Sequence, residues 1–177
     1  MEGISHEAAS LAGTLALSKL ICLYDDNGIS IDGEVQEWFS EDVPARFEAY
    51  GWRVIRNVNG HDAKEIGDAL KNATESDGRP TLVCCKTVIG YGSPNKGGTA
   101  SAHGSVLGEE EIALTKAELG WATPAWEIPS DIADAWDQRD AGAQRHQAWQ
   151  AKLEIYRASN AALAAEFERR MSGELLA

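Results

Sequence analysis

The sequence is poor in cysteine, in basic residues and in long apolar runs, and each shortage excludes a class of protein. Its 177 residues include only three cysteines, with no CxxC pair and no histidine spacing typical of a zinc site. No stretch approaches the ~20 apolar residues of a membrane span. No basic region precedes an apolar stretch at the N-terminus, as it would in a signal peptide. The net charge of −12 argues against general binding to nucleic acid or acidic membranes.

The overall composition and length of the chain are typical of a soluble globular domain. Apolar residues make up 44% and charged residues 25% of the chain, and the length is sufficient for a hydrophobic core. Cys22, Cys84 and Cys85 each lie in an apolar run, so we expect buried, reduced thiols, as in a reducing cytoplasm. The six tryptophans have too few basic neighbours to stack nucleic-acid bases and are expected to pack in the core or at a subunit interface.

The hydrophobic periodicity predicts alternating strands and helices in the first part of the chain. A helix rich in small residues, over 2–18, precedes a buried strand over 19–24 and a polar loop over 25–33. The elements that follow are a helix over 44–50 ended by Gly51, a strand over 52–58, a helix over 62–74 with Asp62 as N-cap, and a strand over 81–87. This order favours a doubly wound α/β fold with a right-handed parallel sheet.

The second part of the chain is predicted to be helical. A glycine-rich loop over 89–108 is long enough to be functional or disordered. Helices are predicted over 109–119, 130–136 and 140–171, the last with a break near Ser159. We therefore expect a partial α/β domain over 1–108 and a helical extension of the same domain over 109–177.

A cluster of oxygen-bearing side chains follows the first predicted strand. Asp25, Asp26, Asn27 and Asp32 lie within eight positions, and carboxylate, amide and carbonyl oxygens are the ligands that Mg²⁺ and Ca²⁺ prefer. The same string also forms turns, so the residues alone leave both interpretations open. The position after a strand favours the metal, because ligands of open α/β sheets bind there.

Several other residues have two interpretations. His103, in the glycine-rich loop, is either an exposed loop residue or a group that exchanges protons or pairs with phosphate. Lys86 and Lys96 flank the loop and could meet phosphate, although Lys86 could instead pair with a carboxylate at the strand end. His61 is expected to serve the turn before its helix.

The sequence resembles transketolase, in the same order of motifs along nearly the whole chain. The segments that carry the resemblance are Glu2–Glu7 (EGISHE), Tyr24–Gly33 (YDDNGISIDG), Arg46–Trp52 (RFEAYGW), Asn59–Asp62 (NGHD), Cys85–Lys96 (CKTVIGYGSPNK) and His103–Gly104. The resemblance covers the later part of the domain that grips the cofactor diphosphate. It implies the thiamine diphosphate-binding fold, here as a partial parallel sheet.

The resemblance implies thiamine diphosphate held through a divalent cation, Mg²⁺ or Ca²⁺. Asn27 matches the family's metal-binding amide, and Ile29 matches the residue that supplies a main-chain carbonyl. The family's Gly-Asp-Gly motif would stand just before Met1. One carboxylate ligand and one phosphate-facing glycine are therefore expected to come from outside these 177 residues.

The resemblance also implies roles for a histidine and for acidic residues. His103 matches the histidine that reaches cofactor and substrate, and is the expected catalytic residue. Glu2 and Glu7 match acidic residues that lie near the subunit interface of the dimeric parent enzyme and connect its paired sites. A solvated helix face is the alternative for both glutamates.

The activity implied is transfer of a two-carbon ketol unit between phosphorylated sugars, in the pentose phosphate pathway. Because the family builds each site from two subunits and two domains, we expect a transketolase fragment that works only with the missing segments or a second subunit. A non-catalytic remnant or interaction module is the alternative. Another thiamine-dependent activity fits the motifs less closely.

Overall fold

A three-stranded parallel sheet organises the first part of the molecule. The computed structural model describes residues 3–75 and 77–175. The strands are β1 (Ile21–Asp26), β2 (Ile29–Ser30), β3 (Gly33–Glu34), β4 (Arg53–Asn59) and β5 (Thr81–Lys86). The main sheet has the order β1-β5-β4, and β2 and β3 form a separate small antiparallel hairpin. The predicted parallel α/β sheet is thus confirmed.

Seven α-helices and one turn of 3₁₀ helix are found in the part of the chain that the structure describes. They are α1 (Gly3–Thr14), α2 (Val43–Ala49), α3 (Ala63–Thr74), the 3₁₀ turn (Ala100–Ala102), α4 (Glu109–Glu118), α5 (Ser130–Trp136), α6 (Arg139–Ser159) and α7 (Ala161–Met171). None of these helices is both long and apolar enough to cross a lipid bilayer.

The two faces of β5 explain why helices lie on both sides of the sheet. Successive side chains of a strand point to opposite faces. Leu82 and Cys84 pack in one cluster with residues of α1 and α2, whereas Val83 and Cys85 pack in another with residues of α3. A strand buried on both faces reads as a continuous apolar run, and β5 has such a run at residues 82–85.

Two predicted signals are found at the helices that connect the strands, one at the start of α3 and one at the end of α2. The Asp62 Oδ1 accepts hydrogen bonds from the backbone N–H groups of Lys64 (2.8 Å) and Glu65 (3.1 Å), capping α3. Gly51 follows α2 with a φ of +85°, the left-handed conformation that glycine adopts readily. Asp42, which the sequence analysis did not single out, caps α2 through Ala45 N at 2.9 Å.

The chain divides into two compact units, residues 1–122 and residues 123–177. The first contains the sheet, α1 to α4 and the glycine-rich loop. The second contains α5 and a pair of helices, α6 and α7, separated at Asn160, close to the predicted break. Arg157 of α6 forms an ion pair with Glu168 of α7, and Ala164 is buried within this unit.

Two predicted boundaries near the first strand were wrong. Strand β1 runs to Asp26 rather than ending at Tyr24, because its backbone pairs in register with β5 as far as Asp26 opposite Lys86. The polar loop therefore begins at Asn27, and it includes the β2–β3 hairpin. Helix α1 ends at Thr14, and Ala16 has a φ of +49°, which is incompatible with a continued helix to Ser18.

The cysteines and tryptophans follow the predictions in part. All three cysteines are unbridged, and Cys84 and Cys85 are buried whereas Cys22 is half-buried. Burial raises the pKa of the Cys84 thiol to about 11, with the nearby Asp26 charge as a second cause. Trp52 is 3% exposed and donates from Nε1 to the Ala9 carbonyl at 2.8 Å. The other five tryptophans are exposed, so within this chain they do not form core.

Candidate functional site

A cavity of about 640 Å³ lies at the carboxyl end of β1. Its walls come from the end of β1, the turn into β2, the segment that leads into α2, Lys86 at the end of β5, and His103. Ligands of open α/β sheets bind at this end of the strands. The cavity is therefore the candidate functional site, and it brings Asn27, Ile29 and His103 to one place.

The turn after β1 is held by its own side chain. The Asn27 Oδ1 accepts a hydrogen bond from the backbone N–H of Ile29 at 2.9 Å. Gly28 between them has a φ of +70°, and its carbonyl accepts from Val35 N at 3.0 Å. Asparagine is typical of such turns because its short amide reproduces a backbone bond. The residues after β1 can therefore form a turn and also bind a metal, because one lone pair of the Asn27 amide oxygen remains for a cation.

The two aspartates at the end of β1 are engaged by residues that follow β5 or end it. The Asp25 Oδ1 accepts a hydrogen bond from the Thr87 hydroxyl, and Asp26 forms an ion pair with Lys86. Lys86 thus pairs with a carboxylate at the strand end, which is one of the two roles expected for it. It also lines the cavity. Asp32 is exposed and lies outside the cavity lining.

The cavity is acidic. Three carboxylates, those of Asp25, Asp26 and Glu41, line it against one ammonium group, that of Lys86. Burial raises the pKa of the Tyr24 phenol at the cavity wall, and the charges of Asp26 and Asp25 also contribute. The negative field of these side chains favours a cation and disfavours an anion that arrives alone.

His103 follows directly after the 3₁₀ turn and donates from its backbone N–H to Ala100 O at 3.0 Å. Its side chain is exposed and lines the cavity. Within residues 3–75 and 77–175 the imidazole has no hydrogen-bond partner, so both ring nitrogens are available to a ligand. No hydrogen bond of the ring fixes it, so the hydrogen-bonded backbone of its loop sets its position.

Lys96 does not reach the cavity. Its Nζ donates to the carbonyl oxygens of Val106 (3.1 Å) and Leu107 (2.9 Å). These bonds close the glycine-rich loop across its base. Of the two lysines that flank the loop, only Lys86 is therefore placed to meet a ligand in this cavity.

His61 has a partner that the sequence did not predict. Its Nε2 accepts a hydrogen bond from Val88 N at 2.8 Å, which assigns the ring proton to Nδ1. The ring stacks on Tyr91 with a centroid distance of 3.8 Å and an interplanar angle of 12°. His61 thus serves its turn, as expected, and also joins that turn to the start of the glycine-rich loop.

Glu111 is the main residue that sequence reasoning missed. It lies in the first turn of α4, is 7% exposed, and accepts hydrogen bonds from the Ser93 hydroxyl, Asn95 N (2.9 Å) and Asn95 Nδ2 (2.8 Å). These bonds, led by that of Ser93, lower the pKa of its carboxyl group to about 2. No local signal separates it from its exposed neighbours Glu109 and Glu110, because burial comes from the returning loop.

The acidic residues expected at a subunit interface are only partly described. Glu2 lies outside the described residues. Glu7 is exposed on α1 and does not line the cavity. His6, beside it, contacts Tyr50 Oη (3.2 Å) and Arg46 (3.3 Å) of the α2 region through Nδ1.

The donors at the cavity suit a hard divalent cation in part. Amide and main-chain carbonyl oxygens of the 27–29 turn are of the right kind, but Asp25 and Asp26 are already engaged. No group of three or more His, Cys, Asp or Glu side chains within residues 3–75 and 77–175 is arranged to hold a metal ion. A cation here would take its remaining oxygens from a ligand phosphate or from residues outside this chain.

The family model and the most similar proteins found by comparison all point to the same family. The model of the family "Transketolase, thiamine diphosphate binding domain" matches residues 1–176. The chain is 59% identical over 175 residues to Transketolase 1 of Aliivibrio fischeri, covering 99% of this chain and 26% of that protein. It is 57% identical, with the same coverage, to Transketolase 2 of Xanthobacter flavus.

Solved structures agree. The transketolase of Leishmania mexicana superposes with a TM-score of 0.92 at 38% identity, over 99% of this chain and 26% of that one. The transketolase of Pichia stipitis in complex with sedoheptulose-7-phosphate superposes with a TM-score of 0.90 at 36% identity, over 100% and 26%. The chain thus spans about a quarter of the length of the relatives it matches.

Proposed function

The chain belongs to the transketolase family, within its thiamine diphosphate-binding domain, and from this premise we propose that its cavity binds the diphosphate of thiamine diphosphate through a divalent cation. The observation that carries the proposal is that Asn27, Ile29 and His103, which are 76 positions apart at the extremes, line one acidic cavity at the end of β1. A metal-bridged diphosphate suits such a cavity better than a bare anion.

Asn27 and Ile29 would hold the cation, through the amide oxygen and the main-chain carbonyl respectively. Mg²⁺ or Ca²⁺ suits this oxygen set. Beside it, Asp26 pairs with Lys86 and Glu41 pairs with Arg46. The Asp25 carboxylate therefore supplies the unpaired negative charge of this chain at the cavity, and further negative charge would come from the ligand phosphates and from residues beyond this chain.

The activity we propose is that of the family, transfer of a two-carbon ketol unit between sugar phosphates. Thiamine diphosphate, when bound, supplies the carbanion-stabilising chemistry of such a transfer. His103 is the proposed catalytic residue: its neutral imidazole can exchange a proton with a substrate hydroxyl, and its charged form can pair with phosphate.

Catalysis requires partners in this proposal. The chain corresponds to 26% of the length of its relatives, so the remaining segments, or a second subunit in a dimer, would complete the site. Glu2 and Glu7 are proposed to meet that partner near the paired sites. The cytoplasm is the proposed compartment.

Reconstitution tests the activity. The chain is mixed with a transketolase polypeptide that carries the remaining segments, together with thiamine diphosphate and Mg²⁺, and ketol transfer from a ketose phosphate is measured. We expect turnover only in the mixture, and at least about 100-fold less with His103→Ala, in keeping with the loss of a general acid–base. Asp32→Asn is the matched control and should leave turnover unchanged. Absence of turnover in a mixture that associates would contradict the proposed activity.

A non-catalytic interaction module is the second candidate, and one observation favours it. Strand β1 is an edge of the main sheet as described, Leu23 on it is 56% exposed, and a largely apolar cavity of about 330 Å³ lies between α1 and β1. Exposed edges and apolar patches invite association. Sedimentation of the isolated chain tests this: a module should associate, Leu23→Lys should abolish association, and thiamine diphosphate should have no effect.

A further inference from the structure

A single buried carboxylate joins helix α4 to the glycine-rich loop. Glu111 accepts hydrogen bonds from the side chain of Ser93 and from both the backbone and the side chain of Asn95. Bonds to an ionised acceptor are stronger than bonds between neutral groups. The carboxylate therefore fixes the loop at residues 93–95, ten residues or fewer before His103 in the chain.

A continuous series of short-range hydrogen bonds leads from this contact to the histidine. Ser93 Oγ accepts from Lys96 N (3.2 Å), and Ser93 O accepts from Gly97 N (3.0 Å). Beyond that, the 3₁₀ turn is closed by Ala102 N to Thr99 O (3.1 Å) and by His103 N to Ala100 O (3.0 Å). The same serine thus contacts Glu111 and organises the chain that leads to His103.

The segment that carries His103 is closed on its other side as well. The Lys96 ammonium donates to the carbonyl oxygens of Val106 and Leu107. Residues 96 and 106–107 lie on either side of His103 in the chain, so these two hydrogen bonds join the ends of the segment 96–107. Glu111, four positions after Leu107, lies at the same base.

The loop has little room to adjust. A Cβ atom added at Gly97 would lie 2.7 Å from Ser93 O, and one at Gly90 would lie 2.8 Å from the Ala102 Cβ. Backbone segments this close cannot slide past each other without breaking the turn. A change at residues 93–95 is therefore passed on to the 3₁₀ turn and to the residue that follows it.

We propose that Glu111 is a positioning residue, which holds the glycine-rich loop in the conformation that keeps His103 beside the cavity at the end of β1. The imidazole has no hydrogen bond of its own within the described parts of the chain, so its position depends on the hydrogen-bonded backbone of the loop. Glu111 itself does not line the cavity and acts through the loop. We call the hydrogen bonds of Glu111 with Ser93 and Asn95 the clasp. The effect of the clasp on ligand binding rests on the proposed function, whereas the clasp itself does not.

Hydrogen exchange of the ligand-free chain tests the clasp without any assumption about function. In Glu111→Gln, an NH₂ group replaces one carboxylate oxygen, so it faces either Asn95 Nδ2 or the Ser93 hydroxyl and Asn95 N–H, and the charge of the acceptor is lost. We expect the amides of Asn95, Gly97, Gly98 and His103 to exchange about tenfold faster, the effect of losing a bond to a charged acceptor. Glu109→Gln, on the exposed side of the same turn, is the matched control and should leave them unchanged. Unchanged exchange in Glu111→Gln would overturn the proposal.

A double-mutant cycle tests the action through His103. The affinity for magnesium pyrophosphate is measured for wild type, Glu111→Gln, His103→Ala and the double variant. We expect about tenfold weaker binding for Glu111→Gln alone, and no further loss when His103 is already alanine, because residues that act as a unit are not additive. Additive losses would overturn the positioning role. Asn95→Ala, which removes only one of the three donors, gives the milder variant if Glu111→Gln does not fold, and should show the same pattern.

The two proposals can fail separately. If wild type does not bind magnesium pyrophosphate, the proposed function fails, and with it the role of Glu111 in ligand binding. Faster loop exchange in Glu111→Gln would still support the clasp. If wild type binds and exchange is unaffected, the clasp fails and the proposed function stands.

Discussion

The roles of Asp25 and Asp26 at the end of β1 depend on the residues that the folded chain brings next to them. Asp25 and Asp26 carry the same side chain, yet one meets the Thr87 hydroxyl and the other the Lys86 ammonium. Both partners come from the end of β5, some sixty positions away in the chain. Asn27, whose amide carries no charge, accepts a bond from Ile29 N and keeps one lone pair of its oxygen for a ligand.

The buried thiol of Cys84 should be unreactive in the folded protein. With its pKa raised to about 11, its thiolate fraction at pH 7 is about a hundredfold below that of a thiol with a pKa near 9. We expect Ellman's reagent to label Cys84 very slowly in the native state and rapidly in denaturant. Mass spectrometry locates the label, and rapid native labelling at Cys84 would contradict the burial found here.

At the scale of whole elements, close packing decides which glycines can change. A Cβ at Gly13 of α1 would lie 1.8 Å from the Tyr50 carbonyl oxygen, whereas one at Gly67 of α3 would meet nothing within 4 Å. Gly13 therefore permits the contact between α1 and the end of α2. At Gly67 no close contact requires a glycine, and the residue only weakens its helix.

Alanine substitutions at these two glycines should act in opposite directions. Gly13→Ala should lower the free energy of unfolding by about 1–3 kcal/mol, the range for overpacking. Gly67→Ala should raise it by about 0.5–1 kcal/mol through helix propensity. Urea unfolding followed by circular dichroism measures both. Equal effects of the two changes would show that α1 does not pack as described.

The link between α4 and the loop should make stability depend on pH. The folded-state pKa of Glu111 is about 2, below the ordinary value of 4.5 for a glutamate, so the folded state binds its proton less tightly than the unfolded state. The stabilisation is fully present above about pH 4.5 and is lost as the pH falls towards 2. We expect Glu111→Gln to unfold at lower urea than wild type at pH 7, with the difference shrinking by pH 3. A difference that stays constant from pH 7 to pH 3 would be inconsistent with this carboxylate.

The elements were largely predictable from sequence, and the exceptions share one cause. Apolar runs and caps such as Asp62 are local signals, so β5 and α3 were found where expected. The extent of β1 was not, because Asp25 and Asp26 are poor strand residues that pair only through β5. Glu111 was missed for the same reason, since its donors come from a loop that folds back on it. For Asn27 and His103 the local patterns left two interpretations open, and the family motifs favoured the site roles that are proposed for them.

At the scale of the whole molecule, the cavity belongs to one of the two units. Every residue that lines it lies within 1–122, and so do the glycine-rich loop and α4. The unit of residues 123–177 has its own helix pair. The parts proposed for cofactor binding are thus gathered in the first unit.

Residues 1–122 should therefore bind magnesium pyrophosphate as the full chain does. We expect the shortened chain to keep a cooperative unfolding transition and an affinity within about threefold of the full chain, since the helical unit supplies no residue of the cavity. Calorimetry and thermal unfolding measure both properties. A folded 1–122 chain with no affinity would place an essential group in residues 123–177.

We propose that the turn after β1 holds a cation that bridges the protein to a diphosphate. Isothermal titration of the full chain with thiamine diphosphate, with and without Mg²⁺, tests it most directly in wild type, Asn27→Ala and Asp32→Asn. We expect metal-dependent binding in wild type and Asp32→Asn, and binding at least about tenfold weaker in Asn27→Ala. Binding that ignores Mg²⁺, or that is as tight in Asn27→Ala as in wild type, would contradict it.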